Sequence, residues 1–426
     1  MINLVKTTFA NARVRVSRLF MPPSHLSLSK PVSLDHFAEE PDYYNHGGFH
    51  PISLGDNFHS KRYTILRKLG YGQYSTVWLA KDSKCQRYVA LKVLRADCYG
   101  GPHDIFEREI LSRIKEVSRD SSHEGRFHVL HLLGHFNHRG PNGDHVCLVF
   151  DVLGHHLYFQ AVKYEDGKLP VKAVKKIARQ LLLGLDFLHT ECGIIHTDLK
   201  PTNIVLDLET PNDTVSKYID SIPPRTTVRQ NGAIVPLREV IPTPLVSEMA
   251  SLHVRIIDFG VASWRERHLS EKIQSPALRA PEVTLGAAWD TGVDIWSLGC
   301  LLVEFVQGIV LFPGEASEEG TWTAEDDQLA RMAEVLGPFP TSLLQRGRRS
   351  TEFFDEKGKL IRIPNFKRTS LERLINGEEK PFLRPFDMPE AEVATFIDFI
   401  KGMLEIDPTS RKSAADLLQH EWIRLS

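Results

Sequence analysis

The sequence predicts an α+β protein in two unequal parts, a small strand-rich N-terminal part followed by a larger helical C-terminal part. Three observations carry this. Tyr63 to Leu94 alternates and is punctuated by turn residues, which predicts three antiparallel strands. Ile105, Phe106, Ile110, Leu111, Ile114 and Val117 recur at helical spacing, and so do Val174, Ile177, Ala178, Leu181, Leu182, Leu185 and Leu188. Asp294 to Val306 is apolar enough to form a buried helix, with Glu304 interrupting the run. Between the two parts, Phe127 to Phe136 and His145 to Phe150 predict two further strands.

The chain has 426 residues, 42% hydrophobic and 25% charged, ordinary usage for globular domains. Its net charge of -2 gives no overall basic field, so neither direct nucleic-acid binding nor attachment to an anionic membrane is expected. No apolar run reaches the roughly 18 residues of a membrane span. Cys85, Cys98, Cys147, Cys192 and Cys300 are scattered, odd in number and without CxxC spacing, which predicts reduced thiols. His128, His131, His135 and His138 have metal-like spacing, but they fall on strand and no thiolate accompanies them, so no zinc site is expected.

The chemistry centres on one loop, His196-Thr197-Asp198-Leu199-Lys200-Pro201-Thr202-Asn203, which follows the helix that stops near Cys192-Gly193. A carboxylate five residues before an amide can place a base and a metal ligand on one short loop. A lysine two residues after that carboxylate can neutralise a transferring phosphate. Phosphoryl transfer is assembled in this way, mostly by positioning and electrostatics. Upstream, Leu69-Gly70-Tyr71-Gly72-Gln73-Tyr74-Ser75-Thr76-Val77 reads as a glycine-rich turn between strands, whose backbone N–H groups could approach phosphates. Val89-Ala90-Leu91-Lys92 is a strand ending in one lysine, and either Glu107 or Glu109 on the next helix could pair with it. Downstream come Asp258-Phe259-Gly260, Ala280-Pro281-Glu282 and Asp294-Ile295-Trp296-Ser297-Leu298-Gly299.

These six signatures, in their order along the chain, resemble those of the eukaryotic protein kinases, with Thr197 where Arg is usual and Ser75 in place of a third Gly. The resemblance implies a two-lobed fold and ATP and Mg²⁺ as co-substrate and cofactor. Leu69 to Val77, Ala90 and Lys92 would bind ATP, with Glu109 preferred over Glu107 as the partner of Lys92. Phe150 would back the adenine pocket, and the backbones of Asp151 and Leu153 would bond the base. Asp198 would accept the substrate proton and Lys200 would touch the γ-phosphate. Asn203 and Asp258 would hold the metal. Glu282, Asp294 and Arg411 would be structural, Glu282 and Arg411 as a buried pair.

The resemblance is closest to the SR-protein kinases, through Leu69 to Ala80, Val152-Leu153-Gly154-His155-His156-Leu157 and His196-Thr197-Asp198. The Phe of Asp258-Phe259-Gly260, Thr202 and Ser275-Pro276-Ala277-Leu278 depart from the animal members and resemble a fungal branch. The implied substrates are Arg/Ser-rich proteins such as splicing factors. A catalytically silent scaffold is the rival class, and a dual-specificity kinase another. All four catalytic residues are present, and residues 258–282 contain no Tyr. The chain is expected to act as a monomer in cytoplasm or nucleus.

The expected organisation is a basic tail 1–34, an extension 35–62 wrapping the small lobe, an N-lobe 63–150 and a C-lobe 151–426. The tail holds Lys6, Arg13, Arg15, Arg18 and Lys30 and no acid, so it reads as a disordered tail or a mitochondrial transit peptide. Two elaborations interrupt the C-lobe. Residues 207–253, rich in Pro, are expected to be mostly irregular surface chain. Residues 313–385 begin with Glu315, Glu318, Glu319, Glu325, Asp326 and Asp327, an acidic cluster expected to steer basic substrates.

Overall fold

The computed structural model describes residues 39–100, 104–228, 232 and 234–424, so the expectations for residues 1–34 lie outside the described residues. The first lobe is a six-stranded antiparallel sheet in the order β1 (Asn57–Phe58), β2 (Tyr63–Tyr71), β3 (Ser75–Asp82), β4 (Arg87–Leu94), β6 (Gly143–Phe150), β5 (Gly134–Gly140). Period-two alternation gives the sheet two apolar faces. Tyr63, Ile65, Trp78, Val89, Leu91 and Val149 pack on one face, under Ile52 and Phe58 of the N-terminal extension. The other face packs Ala90, Leu94, Leu148 and Phe150 against Ile110, Leu111 and Ile114 of α1 (Glu107–Asp120).

The extension is anchored by a buried ion pair between Glu39 and Lys68, with both side chains fully enclosed. Lys68 also lies over the rings of Tyr71 and Trp78. The start of the glycine-rich turn is therefore gripped from outside the sheet.

Of the strand expected over Phe127 to Phe136, only Gly134 to Phe136 is strand. Glu124–His128 is a short 3-10 turn, and Val129, Leu130 and Leu132 are buried rather than paired in the sheet. Leu130 N donates to Ile256 O at 2.9 Å, so this stretch joins the lobes. Pairing starts only at Gly134.

After α2 (Leu157–Ala161), the second lobe is built on α3 (Val171–Asp186) and α5 (Gly292–Gln307), with α4 (Pro211–Ser221) inserted between them. The helix of α3 runs on as a wider turn through Phe187–Cys192 and stops at Gly193, whose φ of 66° is left-handed and suits glycine. In α5 only Gly292 and Glu304 escape full burial, as expected of a helix enclosed on all sides.

The insertion 207–253, expected to be mostly irregular surface chain, carries three regular elements and buried side chains among its described residues. Pro211–Ser221 forms α4, with proline in the first turn, where its missing N–H costs nothing. Thr226–Val228 and Ile234–Pro236 form a hairpin, β9 and β10. Val215, Tyr218 and Ile241 are buried with Leu79 and Val152, so the insertion packs on the junction of the lobes. Asn212 Oδ1 accepts from Tyr88 N at 2.9 Å, which ties it to β4.

Candidate active site

Each element delivers its functional residue to one cleft. Strand β7 (Ile194–Ile195) leads into the loop, and strand β8 (Ile204–Leu206) pairs with β11 (Val254–Ile256), Ile204 opposite Ile256. Asn203 and Asp258 lie just beyond the ends of that short ribbon, and Ile257 N donates to Asn203 O at 2.9 Å. Adjacent strands sit about 4.8 Å apart, so the pairing brings together residues 55 positions apart in sequence (258 − 203 = 55).

Asp198 is the hub of the loop. Lys200 Nζ donates to its Oδ2 at 2.5 Å, and Asn203 Nδ2 donates to the same oxygen at 3.2 Å and to the Asp198 carbonyl at 2.9 Å. The loop is held from beneath by Asp294, whose carboxylate accepts from His196 N at 2.8 Å and Thr197 N at 2.9 Å. Burial alone would raise the pKa of Asp294, but His189 at 2.9 Å and the N–H donors outweigh it and keep the carboxyl below its usual range. Thr197 and Asp258 both adopt positive φ, 66° and 65°, which is strained for side-chain-bearing residues and localises at the site. Thr197 Oγ1 donates to Val261 O at 2.7 Å, so it links the loop to the segment after Asp258.

Lys92, on β4, stands between Glu107 Oε1 at 2.7 Å and Asp258 Oδ1 at 2.9 Å. Burial opposes its charge, yet the two carboxylates win and hold its pKa above the usual lysine value. The ammonium in turn holds Asp258 below the usual carboxylate range. Phe259 is fully buried, edge-on to His196 with ring centres 5.2 Å apart.

The expected partner Glu109 is corrected here to Glu107. Helix α1 begins at Glu107, three and four residues before the buried Ile110 and Leu111, so Glu107 shares their inward face. Glu109 lies about 200° further round the helix. It accepts instead from Tyr99 Oη at 3.1 Å and from Arg108 at 2.6 Å.

The glycine-rich turn joins β2 and β3, with Gly72 N donating to Ser75 O at 2.9 Å. Nothing crowds Gly72, and Leu69, Tyr74 and Val77 pack on the inter-lobe core. Ala90 pairs opposite Phe150 behind the cleft, and the chain then passes through Asp151, Val152 and Leu153 to Gly154. The Asp151 side chain faces outward to Arg87 at 3.4 Å, leaving only its backbone to the cleft. Lower down, Arg411 grips Glu282 through two hydrogen bonds of 2.6 and 2.9 Å, with both side chains fully enclosed. Its guanidinium lies over Trp296.

Two residues that sequence reasoning gave no role are central. Gln274, at φ 65°, donates to Leu278 O, Val293 O and Ser297 Oγ, and accepts from Ala280 N. Ser275 Oγ donates to Asp198 Oδ1 at 2.9 Å. Among the described residues, no cluster of three or more His, Cys, Asp or Glu side chains could hold a metal by itself. Asn203 and the half-exposed Asp258 suit Mg²⁺, which takes one or two protein oxygens and completes its shell with phosphates and water. Asn203 uses its Nδ2 on Asp198, which leaves its carbonyl oxygen for a cation.

The expected acidic cluster is partly spoken for. Asp326 is buried, caps the helix α6 (Ala324–Leu336) through Thr323, and pairs with Arg362 at 2.8 Å. Asp327 pairs with Arg331 at 2.7 Å and accepts from Glu315 N. Glu318 and Glu319 remain exposed.

Comparison with known proteins agrees with the geometry. Residues 63–423 match the protein kinase domain. The chain is 34% identical to the serine/threonine-protein kinase SRPK of Physarum polycephalum, over 89% of this chain and 90% of that protein. It is 32% identical to protein kinase dsk1 of Schizosaccharomyces pombe, over 91% of this chain and 85% of the relative. It is 28% identical to human SRSF protein kinase 3, over 94% of each chain.

Proposed function

The chain belongs to the protein kinase domain family, within it to the SR-protein kinases, and from that premise we propose which residues carry the reaction and what it acts on. It is a serine/threonine protein kinase that uses ATP and a divalent metal. The metal is Mg²⁺: Asn203 and Asp258 would hold it, and it would supply positive charge against the phosphates.

Lys92 binds the α- and β-phosphates and is aimed by Glu107 and Asp258. Asp198 orients the incoming hydroxyl and accepts its proton. As the serine oxygen bonds to the γ-phosphorus, the bridging oxygen leaves with ADP. Lys200 balances the charge that gathers on the transferring group. Phe150 and the backbones of Asp151 and Leu153 seat the adenine. The observation that carries this reading is the convergence of Lys200 and Asn203 on Asp198 Oδ2.

The substrates are basic proteins rich in Arg and Ser, which a monomer binds without nucleic acid or membrane. Glu318 and Glu319, not Asp326 and Asp327, are the exposed acids of the cluster that steer such chains. The enzyme works in cytoplasm or nucleus. Phosphate transfer to an Arg-Ser repeat peptide, compared with a peptide whose arginines are replaced by glutamine, tests the substrate class. A kcat/KM at least tenfold higher for the Arg-Ser peptide is the expected result, and equal values would remove it.

A further inference from the structure

Residues 237–246 of the insertion cross between the lobes at the mouth of the cleft. On the N-lobe side, Glu239 N donates to Lys68 O at 2.8 Å, and Arg238 bridges to Lys68 in parallel register. On the C-lobe side, Gln160 of α2 donates to Thr243 Oγ1 at 3.1 Å and to Pro244 O at 2.9 Å. This crossing sets Arg238 between the glycine-rich turn and α2. Its Nε lies 4.0 Å from where a Cβ on Gly70 would stand, and its guanidinium carbon is 5.8 Å from the centre of the Phe159 ring.

Arg238 is half-buried, and its Nε is enclosed without a hydrogen-bond partner. No carboxylate pairs with it among the described residues. The titratable groups that feel its charge are His155, His156 and Tyr71, none of them an anion at neutral pH. An unpaired guanidinium withdrawn from water is costly, and a ring contact offsets only part of that. Its missing complement is an anion, and the cleft it borders is the one that admits a nucleotide.

We propose that Arg238 is a nucleotide-binding residue, supplied by the insertion, that contacts the anionic phosphate chain of ATP and ADP at the mouth of the cleft. The inference rests on the kinase reading and adds to it a residue outside the glycine-rich turn, Lys92 and the metal ligands. A planar guanidinium can fork two phosphate oxygens, which an ammonium cannot.

The test is calorimetric binding of ADP and of adenosine to the full chain, wild type, Arg238→Ala and Arg238→Lys, with thermal unfolding of each. A charge-assisted hydrogen bond is worth about 1.5–3 kcal/mol, so Arg238→Ala should weaken ADP by about tenfold or more. Adenosine, which lacks phosphate, should change by less than about twofold, and Arg238→Lys should recover part of the ADP affinity. Unchanged ADP affinity in Arg238→Ala, with or without a lower Tm, would overturn the proposal. Equal losses for ADP and adenosine would also overturn it, since Arg238 would then only support the cleft wall. A wild-type chain that binds no ADP would instead remove the kinase reading itself.

Discussion

Ser275 Oγ donates a 2.9 Å hydrogen bond to Asp198 Oδ1, so the activation segment, residues 258–282, is latched directly onto the proposed catalytic base. The latch is set by Gln274, whose amide fastens the preceding backbone turn to Val293 and Ser297 of α5. Arg279, the arginine that follows Ser275 in the segment, is buried and donates to Ile273 O and Gln274 O. Thr197 stands where an arginine would be needed to read a phosphate and brings no charge.

The segment is therefore built to be ordered without phosphate. Enzyme expressed in bacteria and treated with phosphatase should keep full activity, as should Ser270→Ala. Gln274→Ala should lower kcat by about tenfold or more, because several buried hydrogen bonds of about 1 kcal/mol each are lost together. Ser275→Asp places an anion against Asp198 and should abolish turnover. Activity that vanishes on dephosphorylation and returns with an upstream kinase would contradict this account.

The choice between the two glutamates gives a second expectation. Glu107→Gln removes a buried ionic partner of Lys92 and should lower kcat/KM by about 10–100-fold, the range for hydrogen bonds to charged groups. Glu109→Gln loses contacts at a partly exposed site and should stay within about twofold of wild type. The opposite order in steady-state kinetics would restore Glu109.

Acid should destabilise the fold through its buried histidines. Burial is the leading cause that lowers His50, His128 and His155 to about 4, and His156 to about 3. In the unfolded chain these groups titrate near 6.5. Their folded values are depressed, so below about pH 6.5 the unfolded state binds more protons and stability falls until the pH approaches 4. Above about pH 6.5 they contribute no pH dependence. Tm should be clearly lower at about pH 5 than at about pH 7.5, and His50→Gln should reduce the slope. A flat Tm across that interval would contradict this.

The site was legible in the sequence where chemistry depends on short offsets. Asp198, Lys200 and Asn203 share one loop, and Lys92 stands on one strand, so residue type and spacing sufficed. Glu107 was separable from Glu109 by its place three and four residues before Ile110 and Leu111, but the match of Glu109-Ile110-Leu111 to the kinase pattern favours Glu109 against the helix phase. The insertion misled through its prolines: Pro211 initiates α4, and Val215, Tyr218, Ile219 and Ile222 do recur at helical spacing. Val129 to Leu132 looked like a strand because burial by packing and burial by sheet pairing select the same apolar residues. Gln274 and Ser275 carried no local signal, since their partners lie on α5 and in the catalytic loop.

The most direct test of the account is single-site replacement of its hub. With ATP, Mg²⁺ and an Arg-Ser peptide, Asp198→Ala should lower kcat by about 10²–10⁴-fold, the usual contribution of a positioned base, while the KM for ATP stays within about threefold of wild type. Near wild-type turnover in Asp198→Ala would contradict the assignment of the active site.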